Sequence, residues 1–268
     1  MELKTLFKTN NPVIGVVHLL PLPTSARWQG SLSAVIERAV QEAVALASGG
    51  VHGIIVENFF DAPFAKGAVD PAVVSAMTIV VTRLRQLIAV PIGINVLRND
   101  AHSGLAIAAC TGAEFIRVNV LTGVMATDQG VIEGDARGLM RYRRELGMDV
   151  KVLADVLVKH AAPVGHLTSK TALAEAVEDT IHRGLADAVI VSGFVTGQPP
   201  TTEDLAQARA AAGNTPVLVG SGATVDNVAD LMQSADGVIV ASSLKRWGKI
   251  EQPVDPNRVG QFMDAMAS

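Results

Sequence analysis

The chain has 268 residues, enough for one large α/β domain, and 49% of them are hydrophobic against 18% charged, which excludes a disordered or fibrous protein. Its 22 Lys and Arg against 26 Asp and Glu give a net charge of -4 without a run of like charge, and aromatics make up only 4%. Neither a phosphate backbone nor stacked single-stranded bases find a complement here, so nucleic acid is not expected as a partner.

At the N-terminus, residues 1–8 mix charges and lack the apolar core of a signal peptide. The longest stretch free of Asp, Glu, Lys and Arg, residues 9–26, contains His18, Pro12, Pro21 and Pro23, which no membrane-spanning helix would carry. A cytoplasmic protein is expected. Short apolar, β-branched runs then recur along the chain: PVIGVVH (12–18), VHGIIVEN (51–58), PIGINV (91–96), EFIRVNV (114–120), VKVLADV (150–156), DAVIVSG (187–193), PVLVGSG (216–222) and DGVIVASS (236–243). Runs that are continuously apolar rather than alternating read as strands buried on both faces. Ala-rich helical segments lie between them, at 32–48, 71–88, 169–183 and 202–212, and Gly49-Gly50, Gly112, Gly147, Gly184 and Gly213 supply stop signals before the next strand. The single cysteine, Cys110, excludes an internal disulfide and a Cys-based zinc cluster. Following the apolar residues 105–109, it reads as buried filler, with a reactive thiol as the alternative, in a reducing compartment.

Eight strand–helix units with no linker or shift in composition predict an α/β protein made of one (β/α)8 barrel spanning residues 1–268. The rival, a doubly wound dinucleotide-binding sheet, needs a glycine-rich turn after the first strand. This chain has His18-Leu-Leu-Pro-Leu-Pro there.

In a barrel the site lies at the C-terminal strand ends, and six of these ends are polar: His18, Glu57-Asn58, Asn95, Arg117 with Asn119, Asp155 and Ser192. Because side chains alternate, the pairs Ile55/Glu57, Gly93/Asn95, Arg117/Asn119 and Leu153/Asp155 each share a face and converge on one cup. A buried charge requires a partner, so Arg117 is expected against Glu57 or Asp155. Glu57, Asp155 and His18 are the candidate acid/base groups, His18 reading equally as a satisfied buried imidazole, and Asn58, Asn95, Arg117, Asn119, Lys159 and Ser192 are the candidate ligand-binding ones. A hydrogen-bonded plug that merely closes the barrel is the structural alternative. Carboxylates without a second nearby His disfavour a transition metal and leave a Mg2+ site open.

At the last two strands, Gly220-Ser221-Gly222 and Ala241-Ser242-Ser243 form small-residue turns whose backbone N–H groups can cradle a phosphate. Lys245 lies just beyond, as added charge or as a solvated side chain. Long loops follow the first, second, fourth and fifth strands, where Phe59, Phe60 and Phe64 either fold a loop back on itself or offer an apolar patch. Lys159, His160 and His166 line another part of that rim.

Six stretches, VIGVVHLLPLP (13–23), GIIVENFFDAPF (53–64), FIRVNVLTG (115–123), TDQGVIEGDA (127–136), LADVLVKHA (153–161) and LVGSGAT (218–224), together resemble the BtpA/SgcQ family almost end to end. The resemblance implies a TIM-type barrel. For the photosynthetic branch it implies a part in biogenesis or stabilisation of photosystem I, with photosystem I assembly components or the cytoplasmic face of the thylakoid as partners of a peripheral protein. The SgcQ-like branch stands beside sugar metabolism and implies a phosphorylated small molecule, handled by acid/base chemistry. Homo-oligomers are common among barrels.

Overall fold

The computed structural model describes residues 1–158, 160–165, 172–193 and 198–267. Its strands are β1 (Val13–His18), β2 (Gly53–Glu57), β3 (Ile92–Asn95), β4 (Phe115–Val118), β5 (Val124–Thr127), β6 (Gly130–Glu133), β7 (Lys151–Val156), β8 (Ala161–Pro163), β9 (Ala188–Val191), β10 (Val217–Val219) and β11 (Gly237–Val240). Eight of them close into a parallel barrel in the order β1-β11-β10-β9-β7-β4-β3-β2. The remaining three, from the loops that follow β4 and β7, pair as an antiparallel sheet β6-β5-β8.

Helices α1 (Leu3–Phe7), α2 (Leu32–Ser48), α3 (Pro71–Arg85), α4 (Ala101–Thr111), α5 (Ala136–Leu146), α6 (Ala172–Glu178), α7 (Thr202–Ala212), α8 (Val228–Leu231) and α9 (Pro256–Ala267) accompany the strands. The expected limits 32–48 and 202–212 coincide with α2 and α7, whose starts are fixed by Ser31 accepting from the Ala34 amide and by a Thr201/Asp204 capping box. The segment expected to run to residue 88 stops at Arg85, and the one expected from 169 is described only from Ala172 and finishes in a π-helical turn, Asp179–Arg183. Among the described residues no helix is long and apolar enough to cross a membrane.

Alternation divides the strands between two apolar clusters. Val13, Val17, Ile54, Val56, Ile92 and Ile94 face the helices, whereas Ile14, Val16, Ile55, Phe115, Leu153 and Ile190 fill the barrel. This double burial is why the runs are continuously apolar. Phe115 fits inside only because β3 carries Gly93, where a Cβ would overlap its ring. Below it, Phe7 of α1 closes the N-terminal end of the barrel with its ring centre 5.5 Å from that of Phe115, edge to face.

One residue departs from expectation on α4. The buried face of that helix is Gly104, Leu105, Ile107 and Ala108, and at 100° per residue Cys110 falls on the opposite side; it is an exposed thiol, not core filler.

The entry to β1 depends on a neutral imidazole, because His52 Nδ1 accepts the Val13 amide at 3.1 Å and burial lowers its pKa below the ordinary 6.5. A depressed folded-state value means that this contribution is present above pH 6.5 and is lost as the pH falls through the folded value. Between about pH 7 and pH 5, His52→Leu should therefore lose less stability than the wild type in urea melts. Equal acid losses in the two proteins would refute the assignment.

Candidate functional site

Above the apolar layers the barrel interior turns polar at one level. The parallel register sets His18 beside Glu57 and Glu57 beside Asn95, and one layer on, Arg117 stands beside the strand that carries Asp155. Arg117 links the two acids: Nε and Nη2 donate to Asp155 Oδ2 and Oδ1 at 2.9 and 3.0 Å, and Nη1 donates to Glu57 Oε1 at 3.0 Å. Burial alone would lower the guanidinium pKa, but Asp155 and then Glu57 overcome it and hold the value well above the ordinary range. Asn95 Nδ2 donates to Glu57 Oε1 at 2.9 Å, and Asn119 Nδ2 to Asp155 Oδ2 at 2.8 Å. His18 Nε2 lies 3.7 Å from Glu57 Oε2. Arg117 thus meets both of the acids expected for it.

A cavity of about 440 Å³ opens over this layer. His18, Glu57, Asn95, Arg117 and Asn119 form one side of its wall, and Gly220, Ser221, Gly222, Ala241, Ser242 and Ser243 form the other. Three of the expected residues lie elsewhere. Asp155 is not on the wall, its side chain having no exposure beneath Arg117 and Asn119. Asn58 braces a loop, accepting the Leu97 amide at 2.7 Å and donating to Asp61 Oδ2 at 3.0 Å. Ser192 lies behind Gly220, where a Cβ would overlap its hydroxyl. Lys159 and His166 fall outside the described residues.

The two small-residue turns are tied to each other and to the rim. Ser243 Oγ donates to the Ala223 carbonyl at 2.6 Å, Arg258 Nε to the Ser243 carbonyl at 2.7 Å, and Ser221 Oγ to the Gln198 carbonyl at 3.3 Å. Gly222 has φ +79°, and a Cβ there would overlap the backbone of Gln198 and Pro199, so glycine is needed for close approach as well as for the turn. Lys245 neither adds charge to the mouth nor faces solvent. It is fully buried and donates to both Glu42 oxygens, at 3.0 and 2.8 Å, because the chain after Ser242–Leu244 turns back against α2.

Phe59, Phe64, Arg98, Asp128 and His160 are among the further residues that reach the cavity from loops. Phe59 and Phe60 do not form an outward patch; their ring centres lie 4.5 and 6.3 Å from that of His18. Arg98 follows the end of β3 by three residues, and Asp128 arrives on the β5–β6 turn, part of the Thr-Asp-Gln-Gly block whose presence was the available signal. Desolvation lowers the Arg98 pKa, and Asp155 and Asp128 act against it. A cation bridging Glu57 and Asp155 would have to displace the Arg117 guanidinium, and among the described residues no three His, Cys, Asp or Glu side chains converge in a metal-holding arrangement. The wall therefore combines a His–carboxylate pair, side-chain amide groups and a surface of small residues.

The profile described as the BtpA family matches residues 9–268. The chain belongs to the BtpA family. It is 68% identical over 267 residues to the photosystem I biogenesis protein BtpA of Synechocystis, covering 100% of this chain and 92% of that one. An uncharacterised Pyrococcus furiosus protein is 46% identical over 256 residues, covering 96% and 95% of the two chains, and a Caenorhabditis elegans protein described as mitochondrial is 32% identical over 265, covering 96% and 94%. Among solved structures, N-(5'-phosphoribosyl)anthranilate isomerase from Pyrococcus furiosus aligns with a TM-score of 0.55 at 15% identity, covering 96% of this chain and 98% of that one. At that identity the likeness concerns the TIM-barrel fold of this BtpA-family chain.

Proposed function

We propose that this chain is a photosystem I biogenesis factor whose barrel mouth binds a phosphorylated small molecule. The identity to the Synechocystis protein over the whole chain supports the first part. The second rests on one observation, that the polar strand ends and the small-residue turns line the same 440 Å³ cavity. In this reading the phosphate lies against the turns at Gly220–Gly222 and Ala241–Ser243, and Glu57, Asn95 and Asn119 meet the rest of the ligand. The proposal places the protein peripherally on the cytoplasmic face of the thylakoid and, as is common for barrels, in a homo-oligomer. A soluble enzyme of phosphorylated sugars is the second reading, favoured by the paired His18 and Glu57 on the cavity wall.

The test joins both parts. A screen of phosphorylated metabolites by thermal shift should give a ligand that, at about a hundredfold its Kd, adds roughly 2.7 kcal/mol and raises the Tm by about 5–10 °C. Ser242→Asp, which sets a carboxylate against the phosphate, should abolish the rise. In a Synechocystis strain lacking its BtpA, this chain should restore photosystem I content. Failure to restore it would remove the biogenesis role, and a screen without a hit would remove the ligand.

A further inference from the structure

We infer that the outer face of α2, α3 and α4 is the surface through which two copies of this chain associate. The inference rests on the homo-oligomer reading above and gives it a place on the molecule. α2 packs on α3 and α3 on α4, so the three helices present one continuous face on the side of the barrel, away from the mouth. Surface helices turn charge outward, and α5 does so with Arg137, Arg141, Arg144 and Glu145. Its neighbour α4 has no Asp, Glu, Lys or Arg at all, and its exposed positions are His102 and Cys110. On α2 and α3 together the exposed charged side chains are Glu37 and Arg83, whereas Arg38 and Arg85 are half-buried in ion pairs with Glu42 and Glu114, each at 2.7 Å. The same two helices expose Val44 at 39% and Ile79 at 48%. Depletion of charge around exposed aliphatic side chains distinguishes the centre of a protein interface from ordinary surface. Helices of 17, 15 and 11 residues set about 10 Å apart cover roughly 600 Å², near the ~800 Å² that each partner gives to a standard interface.

The pattern on this face is complementary to itself, which selects a second copy as the occupant. α2 joins β1 to β2 and α3 joins β2 to β3 in a parallel barrel, so the two helices run in the same direction. Along α2 the order is Glu37 and then, two turns on, Val44; along α3 it is Ile79 and then, one turn on, Arg83. The four side chains stand at the corners of a quadrilateral, with the charges on one diagonal and the apolar pair on the other. A two-fold axis laid along the Val44–Ile79 diagonal sets each of these two against its own counterpart. The same rotation sets Glu37 against Arg83 of the second copy, and Arg83 against Glu37 of the second copy. A contact between identical surfaces requires this reciprocity. Both charges are available for it: among the described residues neither enters an ion pair, and Arg83 Nη1 donates to Gln86 Oε1 at 3.0 Å. An anionic lipid surface would meet one acid for each base here and gain nothing from the arrangement. Because the face lies on the flank of the barrel, association leaves both mouths open.

Sedimentation equilibrium of the full-length chain should give a dimer at micromolar concentration, twice the 28.0 kDa of one chain. Glu37→Arg and Arg83→Glu should each raise the dimer Kd by about tenfold or more, because each sets like charges together twice per dimer. Mixed in equal amounts, the two variants should recover a dimer of one copy of each, since every contact between positions 37 and 83 is then of opposite sign. Ile79→Asp should be monomeric, with the circular dichroism spectrum of the wild type. A mixture of folded single variants that stays monomeric would overturn the reciprocal pairing. A dimer unmoved by all three substitutions would keep the homo-oligomer reading and overturn this surface. A monomeric wild type, whether or not it sediments with phosphatidylglycerol vesicles, would overturn both.

Discussion

Arg117→Met should unfold roughly 10 °C below the wild type, the larger of two stability losses expected from buried charge. The guanidinium touches both Glu57 and Asp155, and the side chains of all three are at most 7% exposed. Methionine fills most of the volume and leaves two buried carboxylates without the guanidinium that bridges them. Breaking such a cluster from one side costs about 3–5 kcal/mol, whereas removing all of its charges together costs much less. Adding Asp155→Asn to Arg117→Met should therefore recover part of the loss, and the deficit should shrink on mild acidification, as protonating one carboxylate ends the repulsion. Thermal unfolding followed by circular dichroism reads both effects. A drop of less than about 2 °C would mean that water reaches this layer and screens it.

Lys245→Met should cost about 3 kcal/mol although it lies far from the acids of the cup. Glu42 has no side-chain exposure and would keep only Arg38, at 2.7 Å, as partner. Lys245→Met with Glu42→Leu should return to within about 1.5 kcal/mol of the wild type, since an apolar pair of similar volume suits the site. Burial lowers the Lys245 pKa and Glu42 raises it, with burial the stronger, so the folded value lies below the ordinary 10.5. The folded state then binds fewer protons than the unfolded one between those two values, and stability attributable to this lysine rises with pH across that alkaline window. Urea melts of Lys245→Met should lack that rise. Because Lys245 follows directly on Ser242–Leu244, the variant should also loosen the turn at the mouth.

Much of the barrel was legible because each strand buries both faces, which prints a continuous apolar run, and because a two-residue period carries Leu153 to Asp155 and Ile55 to Glu57 on the same inward side. The polar layer followed from that alternation alone. What alternation does not contain is direction within the layer. Asp155 and Glu57 look alike until the Arg117 side chain is seen to cover the first and to leave one oxygen of the second facing His18. Arg98 and Asp128 reach the cavity through loop paths, which have no period to follow. Lys245 was misplaced by the ordinary rule that lysines face water; its partner Glu42 stands 203 residues earlier, a pairing set by the closure of β11 onto β1. Cys110 shows the converse, an apolar stretch whose last residue simply turns past the packed face of its helix.

At the opposite end from the mouth, the Phe7 ring fills the bore that the Phe115 ring leaves open, and Gly53 lacks a side chain where a Cβ would come within 2.7 Å of it. Trimming Phe7 to alanine would turn that stopper into an apolar socket of about the size of a benzene ring, walled by barrel residues that lie too deep to collapse into it. A small hydrocarbon could then be loaded from below, at the far end of the bore from the mouth cavity. The barrel would become a two-ended receptacle in which the occupancy of each end can be set independently.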